Sequence, residues 1–288
     1  MKRREFLAAA GAGAFVSALP FRWTEASWSK PRKILYFTRS AGFEHSVVAR
    51  KGKDLAHSER LLTEWGKEVN VEVVCSKDGR VFDGDLDQFD AIALYATGDW
   101  TKPVNRPNEP PATETGVKRL LDAIAAGKGV IGFHAANDAF HSRGDEISPF
   151  VKMIGGEFLS HGRQQEATIR VASPNFPGCR NLGKSFRMLE EWYAMKNLAD
   201  DLHVILIQDT EGMVDNCYQR PPYPSTWARM HGKGRVFYTS LGHREDVWES
   251  KIMKDLTLGA LAWVLGEVAF DPVPNIKEVT PGANQLSR

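Results

Sequence analysis

Cysteine is scarce in this chain: three residues, Cys75, Cys179 and Cys217, in a sequence of 288. Odd in number and widely spaced, they exclude a disulfide framework and supply no CxxC metal pair, leaving room for at most one bridge in an oxidising compartment. None follows a strand-like run into a glycine-bounded turn, which weakens the case for an amidohydrolase or acyl transferase built on a cysteine nucleophile. A second absence is charge of one sign. Lys+Arg number 37 against 36 Asp+Glu, a formal net charge of +1, so nothing electrostatic calls for nucleic acid or an anionic membrane surface as partner. No apolar stretch after the N-terminus is long enough to span a membrane. The glycine loop around Gly42 does not begin a GxGxxG, so no nucleotide cofactor is expected. There is no HExxH, no HxH and no ladder of carboxylates, so the ligands of any metal would have to meet from separate loops. What survives is small-molecule chemistry in one large domain with a substantial core, as a monomer or a homo-oligomer.

The first residues stand apart from that domain. Lys2-Arg3-Arg4-Glu5-Phe6-Leu7 is a basic segment with an apolar pair after it, followed by an Ala/Gly-rich run to about Leu19. Residues 1–26 read as a twin-arginine export signal, cut after Ala18 or Ala26, which places the mature protein in the periplasm without a membrane anchor. A disordered basic terminus is the plainer alternative.

Further along, strand-like apolar runs alternate with helical periodicity. Lys33 to Thr38 is the first expected strand. A helix follows, with Ser46 as its N-cap and Leu55, Leu62 and Trp65 on its inner face. Val69 to Cys75 and Asp87 to Thr97 are expected as strands, the latter buried on both faces. After a proline-rich loop, Thr115 to Ala126 predicts a helix ended by Gly127. Val130 to Phe133 is a short buried strand. Ser148-Pro149 opens a short helix closed by Gly155-Gly156. Glu166 to Ala172, His203 to Gln208 and Gly234 to Thr239 follow as strands, with a proline-broken loop over Tyr218 to Trp227. A closing helix is expected over Glu249 to Leu265, with Ile252, Leu256, Ala260 and Trp263 in one stripe. Strand, helix, strand, strand, helix, strand is the order of a doubly wound, mostly parallel α/β sheet.

In such a sheet, ligands sit beyond the carboxyl ends of the strands. His45, His134 and His243 all come just after expected strands. His134 occupies the spot where a nucleophile elbow holds serine or cysteine, so covalent acyl chemistry is not the first choice. Imidazole titrates near neutrality and serves as acid, base or metal ligand without a large environmental shift. Glu190 or Glu191 would complete the arrangement, and strand alternation allows only one of them to face it. The expected catalytic set is His134, Glu191 and His243, working as a metal-free acid-base group or as a zinc-like site with an open water position. His161, His141, Asn137 and Asp138 are candidates to line the same cleft. Trp100, Trp192, Tyr193 and Trp227 are candidates to stack on a sugar ring, trimming the core being the alternative. His57, His203 and His231 look like packing or solvated positions.

The segments Tyr36-Phe-Thr-Arg-Ser-Ala-Gly-Phe-Glu-His45, Ala96-Thr-Gly-Asp99, Gly132-Phe-His134-Ala-Ala-Asn-Asp138, Ser160-His161, Glu190-Glu191-Trp192-Tyr193, Pro224-Ser-Thr-Trp227 and Arg235-Val-Phe-Tyr-Thr-Ser-Leu-Gly-His243 occur in the order found in the trehalose-utilisation (ThuA-like) family, which the chain resembles over about residues 31 to 266. The resemblance implies a flavodoxin-like sheet related to class I glutamine amidotransferases, with their elbow cysteine absent and the tail 267–288 outside the domain. It also implies disaccharide catabolism acting on sugars first oxidised at C3, with His45, Asp99, Asn137, Asp138, His161, Trp192, Tyr193 and Trp227 around the substrate. A C3 ketone acidifies the C2 hydrogen, so a base such as His134 or Glu191 could remove it. An acid such as His243 would protonate the departing glycosidic oxygen, and a metal or amide donor would stabilise the enolate. A non-catalytic sugar-binding protein on the same scaffold is the competing expectation.

Overall fold

The computed structural model describes residues 30–287, so the reading of residues 1–26 as an export signal falls outside it. The chain runs β1 (Arg32–Phe37), α1 (His57–Glu68), β2 (Val71–Ser76), β3 (Ala91–Leu94), α2 (Glu114–Ala126) and β4 (Gly129–Phe133). It continues through α3 (Pro149–Ile154), β5 (Glu157–His161), β6 (Gln165–Val171), β7 (Ser185–Glu190), β8 (Tyr193–Lys196) and β9 (His203–Gln208). Last come β10 (Tyr223–His231), β11 (Gly234–Thr239), α4 (Glu245–Glu249), α5 (Lys251–Val264) and α6 (Ile276–Val279).

One nine-stranded sheet, ordered β2-β1-β3-β4-β11-β10-β9-β6-β7, organises the molecule, with β5 and β8 as a separate pair. From β2 to β11 all neighbours are parallel. Beyond β11 the sheet changes character: β10 is antiparallel to β11 and β9, and β6 to β9 and β7. It follows that β1, β2, β3, β4, β7, β9 and β11 point one way, and β6 and β10 the other. The α/β expectation is met, in a mixed form.

Both faces are covered, as alternation in the strands requires. Ile34 and Tyr36 of β1 enter a core with Leu62, Trp65, Leu256 and Trp263 of α1 and α5. Leu35 and Phe37 enter the opposite core with Leu120 and Ile124 of α2 and Phe150 and Ile154 of α3. Each of these fully buried side chains contributes on the order of 2 kcal/mol relative to exposure. α2 begins on Thr113, whose hydroxyl accepts from the Gly116 N–H, and ends on Gly127 at φ 135°.

Four local expectations are corrected. Ser46 caps no α-helix: residues 46–48 form a 3-10 turn, and α1 starts after Ala56, whose N–H donates to the Glu59 carboxylate. Leu55 is therefore outside the helix and exposed. The closing helix is two, divided at Ser250, whose hydroxyl accepts from Met253 N and caps the second. The proline-rich stretch ending at Trp227 is partly strand, because Pro224 sits where the β10 register slips against β9 and no ladder N–H is required of it. The three cysteines are free thiols. Among the described residues, no helix is long and apolar enough to cross a membrane.

Candidate functional site

Five of the strands deliver side chains to one place. His45 follows β1, His134 follows β4, His161 ends β5, Glu191 follows β7 and His243 follows β11. Glu191 Oε2 lies 3.0 Å from His243 Nδ1 and 3.4 Å from His134 Nε2, and Oε1 lies 3.4 Å from His161 Nδ1. The His45 ring stands 5.0 Å from that of His134 and 5.2 Å from that of His243, centroid to centroid, at nearly right angles to both. One donor atom each from His45, His134, Glu191 and His243 lies within 4.8 Å of the others.

Backbone geometry and neighbours fix the arrangement. His134 adopts φ 37°, a left-handed conformation that costs a non-glycine residue on the order of 1 kcal/mol and turns its ring out of the strand direction into the cluster. Its Nδ1–H donates to the Ser240 carbonyl at 2.7 Å, and Tyr238 Oη donates to the His134 carbonyl. His243 is held through Gly242, at φ 115°, whose carbonyl accepts from Tyr95 Oη and Trp248 Nε1. Glu190 is fully buried and faces away from the imidazoles. Its carboxylate accepts from the N–H groups of Glu191, Gly242 and His243, tying the end of β7 to the His243 loop. Alternation thus assigns the site to Glu191.

Charge in the cluster is divided unevenly. Burial pushes His45 down to about 2, with the His134 and His243 rings adding to the effect. Burial also lowers His134, against the pull of Glu191. His243 is raised: burial would lower it, but the Glu191 carboxylate beside it prevails. Glu191 itself is held well below the usual carboxylate range: burial would raise it, but the His134 and His243 rings beside it outweigh that. Burial pushes Glu190 up to about 7, opposed by its backbone donors. Burial thus disfavours protonation of His45 and His134 at the bottom of the group, while the Glu191 anion favours it at His243 on the edge.

A second polar cluster flanks the first. His141 bonds both Asp138 Oδ1, at 2.7 Å, and Glu157 Oε1, at 2.9 Å, and these two acceptors, Asp138 foremost, raise it. Glu157 is fully buried and also accepts from Ser142 N and Asn197 Nδ2. Burial alone would raise its carboxyl, yet these bonds hold it at about 2. Because that lies below the usual 4.5, the stabilisation is present above pH 4.5 and lost as pH falls towards 2. Glu157→Gln is expected to lose roughly 2 kcal/mol at pH 7, and its melting temperature should converge on that of the unmodified protein between pH 4.5 and 2. Thermal unfolding at stepped pH checks this, and a gap independent of pH would refute it. Sequence reasoning missed Glu157 entirely, because its partners come from two separate segments, 141–142 and 196–197.

The other candidates divide. Tyr193 is buried against the His134 ring, 4.0 Å between centroids, with its hydroxyl 3.3 Å from His45 Nε2, so it walls the site. Asn137 is buried beside His134, and neither its amide nitrogen nor its oxygen has a hydrogen-bond partner. Trp192 and Trp227 are fully buried, with their indole N–H groups donating to the carbonyls of Gln165 and Ile154. The expectation that they touch substrate is corrected: strand register turns both into the core, where Trp227 stacks on Tyr238. Trp100 is likewise sealed, packed on Phe37 and Phe82. An aromatic that does reach solvent here is Phe43, 68% exposed beside the His45 ring, which no pattern singled out. Asp99 is not part of the imidazole cluster. It lines a neighbouring groove of about 530 Å³ with His141, Arg143, Phe140 and Phe150. The imidazoles and Glu191 lie outside that groove. The long 98–113 loop is ordered by buried Arg39, which donates to the carbonyls of Glu109, Trp100 and Lys102.

The model of the family described as ThuA, trehalose utilisation, matches residues 33–264. The chain belongs to the ThuA family. Solved ThuA-like proteins share its fold. Putative ThuA-like proteins from Bacteroides uniformis and Parabacteroides merdae each align with a TM-score of 0.61 at 20% identity. The first alignment covers 81% of this chain and 91% of that one, the second 90% and 97%. A cytoplasmic protein from Salmonella typhimurium aligns with a TM-score of 0.51 at 12% identity, covering 81% of this ThuA chain and 98% of its own. No protein of curated function matches the chain. The ThuA family is linked to trehalose utilisation, a part of carbohydrate metabolism.

Proposed function

We propose that this ThuA protein is a periplasmic carbohydrate-processing enzyme that cleaves or rearranges a glycoside already oxidised to a ketone at C3, with the cluster around Glu191 as its reaction centre. The observation that carries the reading is the gathering of His45, His134, His161 and His243 about one carboxylate at the carboxyl ends of the strands. The β2-β1-β3-β4 order supports a flavodoxin-like core, for which this edge is the ligand-binding one.

The chemistry needs a proton acceptor and a proton donor that work near neutrality, held in fixed relation. As the C2–H bond breaks, its electron pair forms the enolate with the C3 ketone and the proton goes to an imidazole. Collapse of the enolate then breaks the C1–O bond, whose pair goes to the glycosidic oxygen as that oxygen is protonated. Return of the proton to carbon instead gives rearrangement. Glu191, held below the usual carboxylate range, is a weaker base than the imidazoles it touches, and its part is to orient them. The exposed Phe43 ring offers an apolar face for a pyranose. With Trp100, Trp192 and Trp227 in the core, the purely sugar-binding alternative keeps only Tyr193 of the four aromatics offered for it.

Incubation with plain and 3-oxidised disaccharides in D2O, followed by NMR, tests the proposal. The expected result is consumption of the oxidised sugar alone, with the C2 proton signal lost, either to a C1–C2 double bond on cleavage or to deuterium on rearrangement. Binding heat without product or exchange would favour the sugar-binding alternative and overturn this one.

A further inference from the structure

Each of the three innermost imidazoles is engaged at its outer nitrogen and bare at its inner one. His134 Nδ1–H is spent on the Ser240 carbonyl, a group that can only accept, so a neutral His134 carries a lone pair on Nε2. That nitrogen lies 3.4 Å from Glu191 Oε2 yet is not aligned as a hydrogen bond and has no other partner. His45 meets Tyr193 Oη through Nε2 and leaves Nδ1 buried without a partner. His243 meets Gln164 through Nε2, at 2.9 Å, while its Nδ1 faces Glu191 without a proper hydrogen bond. Both His45 and His134 are more than nine-tenths buried. Lone pairs converging on a carboxylate in a dry pocket repel one another unless a positive charge sits among them.

We infer that His45 Nδ1, His134 Nε2, His243 Nδ1 and one Glu191 oxygen bind a single divalent first-row cation, zinc or one of similar softness, with an open position towards the cleft. The donor chemistry selects the class. Three imidazoles and a carboxylate without thiolate suit Zn²⁺, Co²⁺, Ni²⁺, Mn²⁺ or Fe²⁺, whereas Mg²⁺ and Ca²⁺ want mostly oxygen. The spacing agrees. Ligands about 2.05 Å from a tetrahedral ion stand about 3.3 Å apart, and the two distances from Glu191 Oε2 are 3.0 and 3.4 Å. The outer bonds are those that orient metal-bound histidines. His243 can donate its Nδ1 lone pair only if Nε2 carries the hydrogen. Gln164 must then turn its amide so that oxygen faces His243, giving up the bond from Arg244, which keeps Asp246.

This deepens the reading above and rests on it: in the loaded protein the cation meets the charge that builds on the ketone oxygen, and the proton passes to His161. That ring is 44% exposed and donates Nδ1–H to the Gly162 carbonyl, leaving Nε2 free as the base.

The test uses untagged mature protein stripped with a chelator and titrated with zinc chloride by calorimetry, with no sugar present. One saturating site of submicromolar Kd is expected. His45→Ala and His134→Ala should each weaken it at least 100-fold, and His161→Ala should bind zinc unchanged while losing turnover. Should a ligand variant fail to fold, cobalt added to the unmodified protein gives a second readout, a visible absorption typical of four-coordinate nitrogen and oxygen ligands. Absence of saturable binding, of the cobalt band, or of any effect of His45→Ala and His134→Ala overturns the inference. A protein that binds zinc in this way but turns over no 3-oxidised sugar keeps the metal site and refutes the proposed reaction instead.

Discussion

His134→Ala is expected to leave a folded protein whose turnover of a 3-oxidised disaccharide falls by about 10³-fold, the range over which a positioned proton-transfer or electrostatic group acts. The fold should survive because the loss is bounded. Removing the ring forfeits its bond to Ser240 O and vacates part of a buried pocket. Together these cost roughly 2 to 4 kcal/mol, within the 5 to 15 kcal/mol by which domains of this kind are stable. A paired variant isolates the backbone contribution. At φ 37° alanine carries the same left-handed strain as histidine, while glycine does not. His134→Gly should therefore be about 1 kcal/mol more stable than His134→Ala and equally inactive. Circular dichroism, thermal melts and the NMR assay on all three proteins decide the matter. Near-normal turnover in folded His134→Ala would remove this ring from the reacting centre.

How far these features could be read from sequence depends on whether they are local or a matter of register. β1, β4 and β11 are β-branched apolar runs bounded by turn residues, and α2 carries its cap at Thr113 and its stop at Gly127, so all four were legible. A histidine directly after such a strand inherits its address from the sheet, which is why His45, His134 and His243 could be picked before their meeting was visible. Alternation allowed only one of Glu190 and Glu191 to face the site, and which of them does is visible only in the fold. The antiparallel half was less legible. Gly232-Lys233-Gly234 joins β10 to β11 as a hairpin, a signal masked by the prolines just upstream. Trp192 and Trp227 misled because their composition suits a sugar platform, while their burial is set by which way one residue in a strand happens to point. Glu157 with His141, and Phe43 beside His45, depend on contacts between segments that share no spacing rule.

Glu190 is where the largest stability effect is expected, although it touches none of the imidazole rings. Its two oxygens take the N–H groups of Glu191, Gly242 and His243 at 2.8, 2.9 and 3.2 Å in a fully buried position. Removing the carboxylate in Glu190→Ala leaves three buried donors unpaired, each worth on the order of 1 to 3 kcal/mol in lost solvation. The expected loss is roughly 4 kcal/mol, less whatever water entering the gap restores. Glu190→Gln keeps the shape but not the polarity: one end of the amide must present N–H to N–H, either at Glu191 or at the Gly242–His243 turn. It should therefore lose about half as much, and it should disturb the site through the backbone that carries His243. Urea unfolding of the two variants measures the first effect. The second should appear as weaker zinc binding in Glu190→Gln, since β7 and the His243 loop would no longer be drawn together. If both variants unfold at the same urea concentration as the unmodified protein, the Glu190 carboxylate is not what joins these two edges of the site.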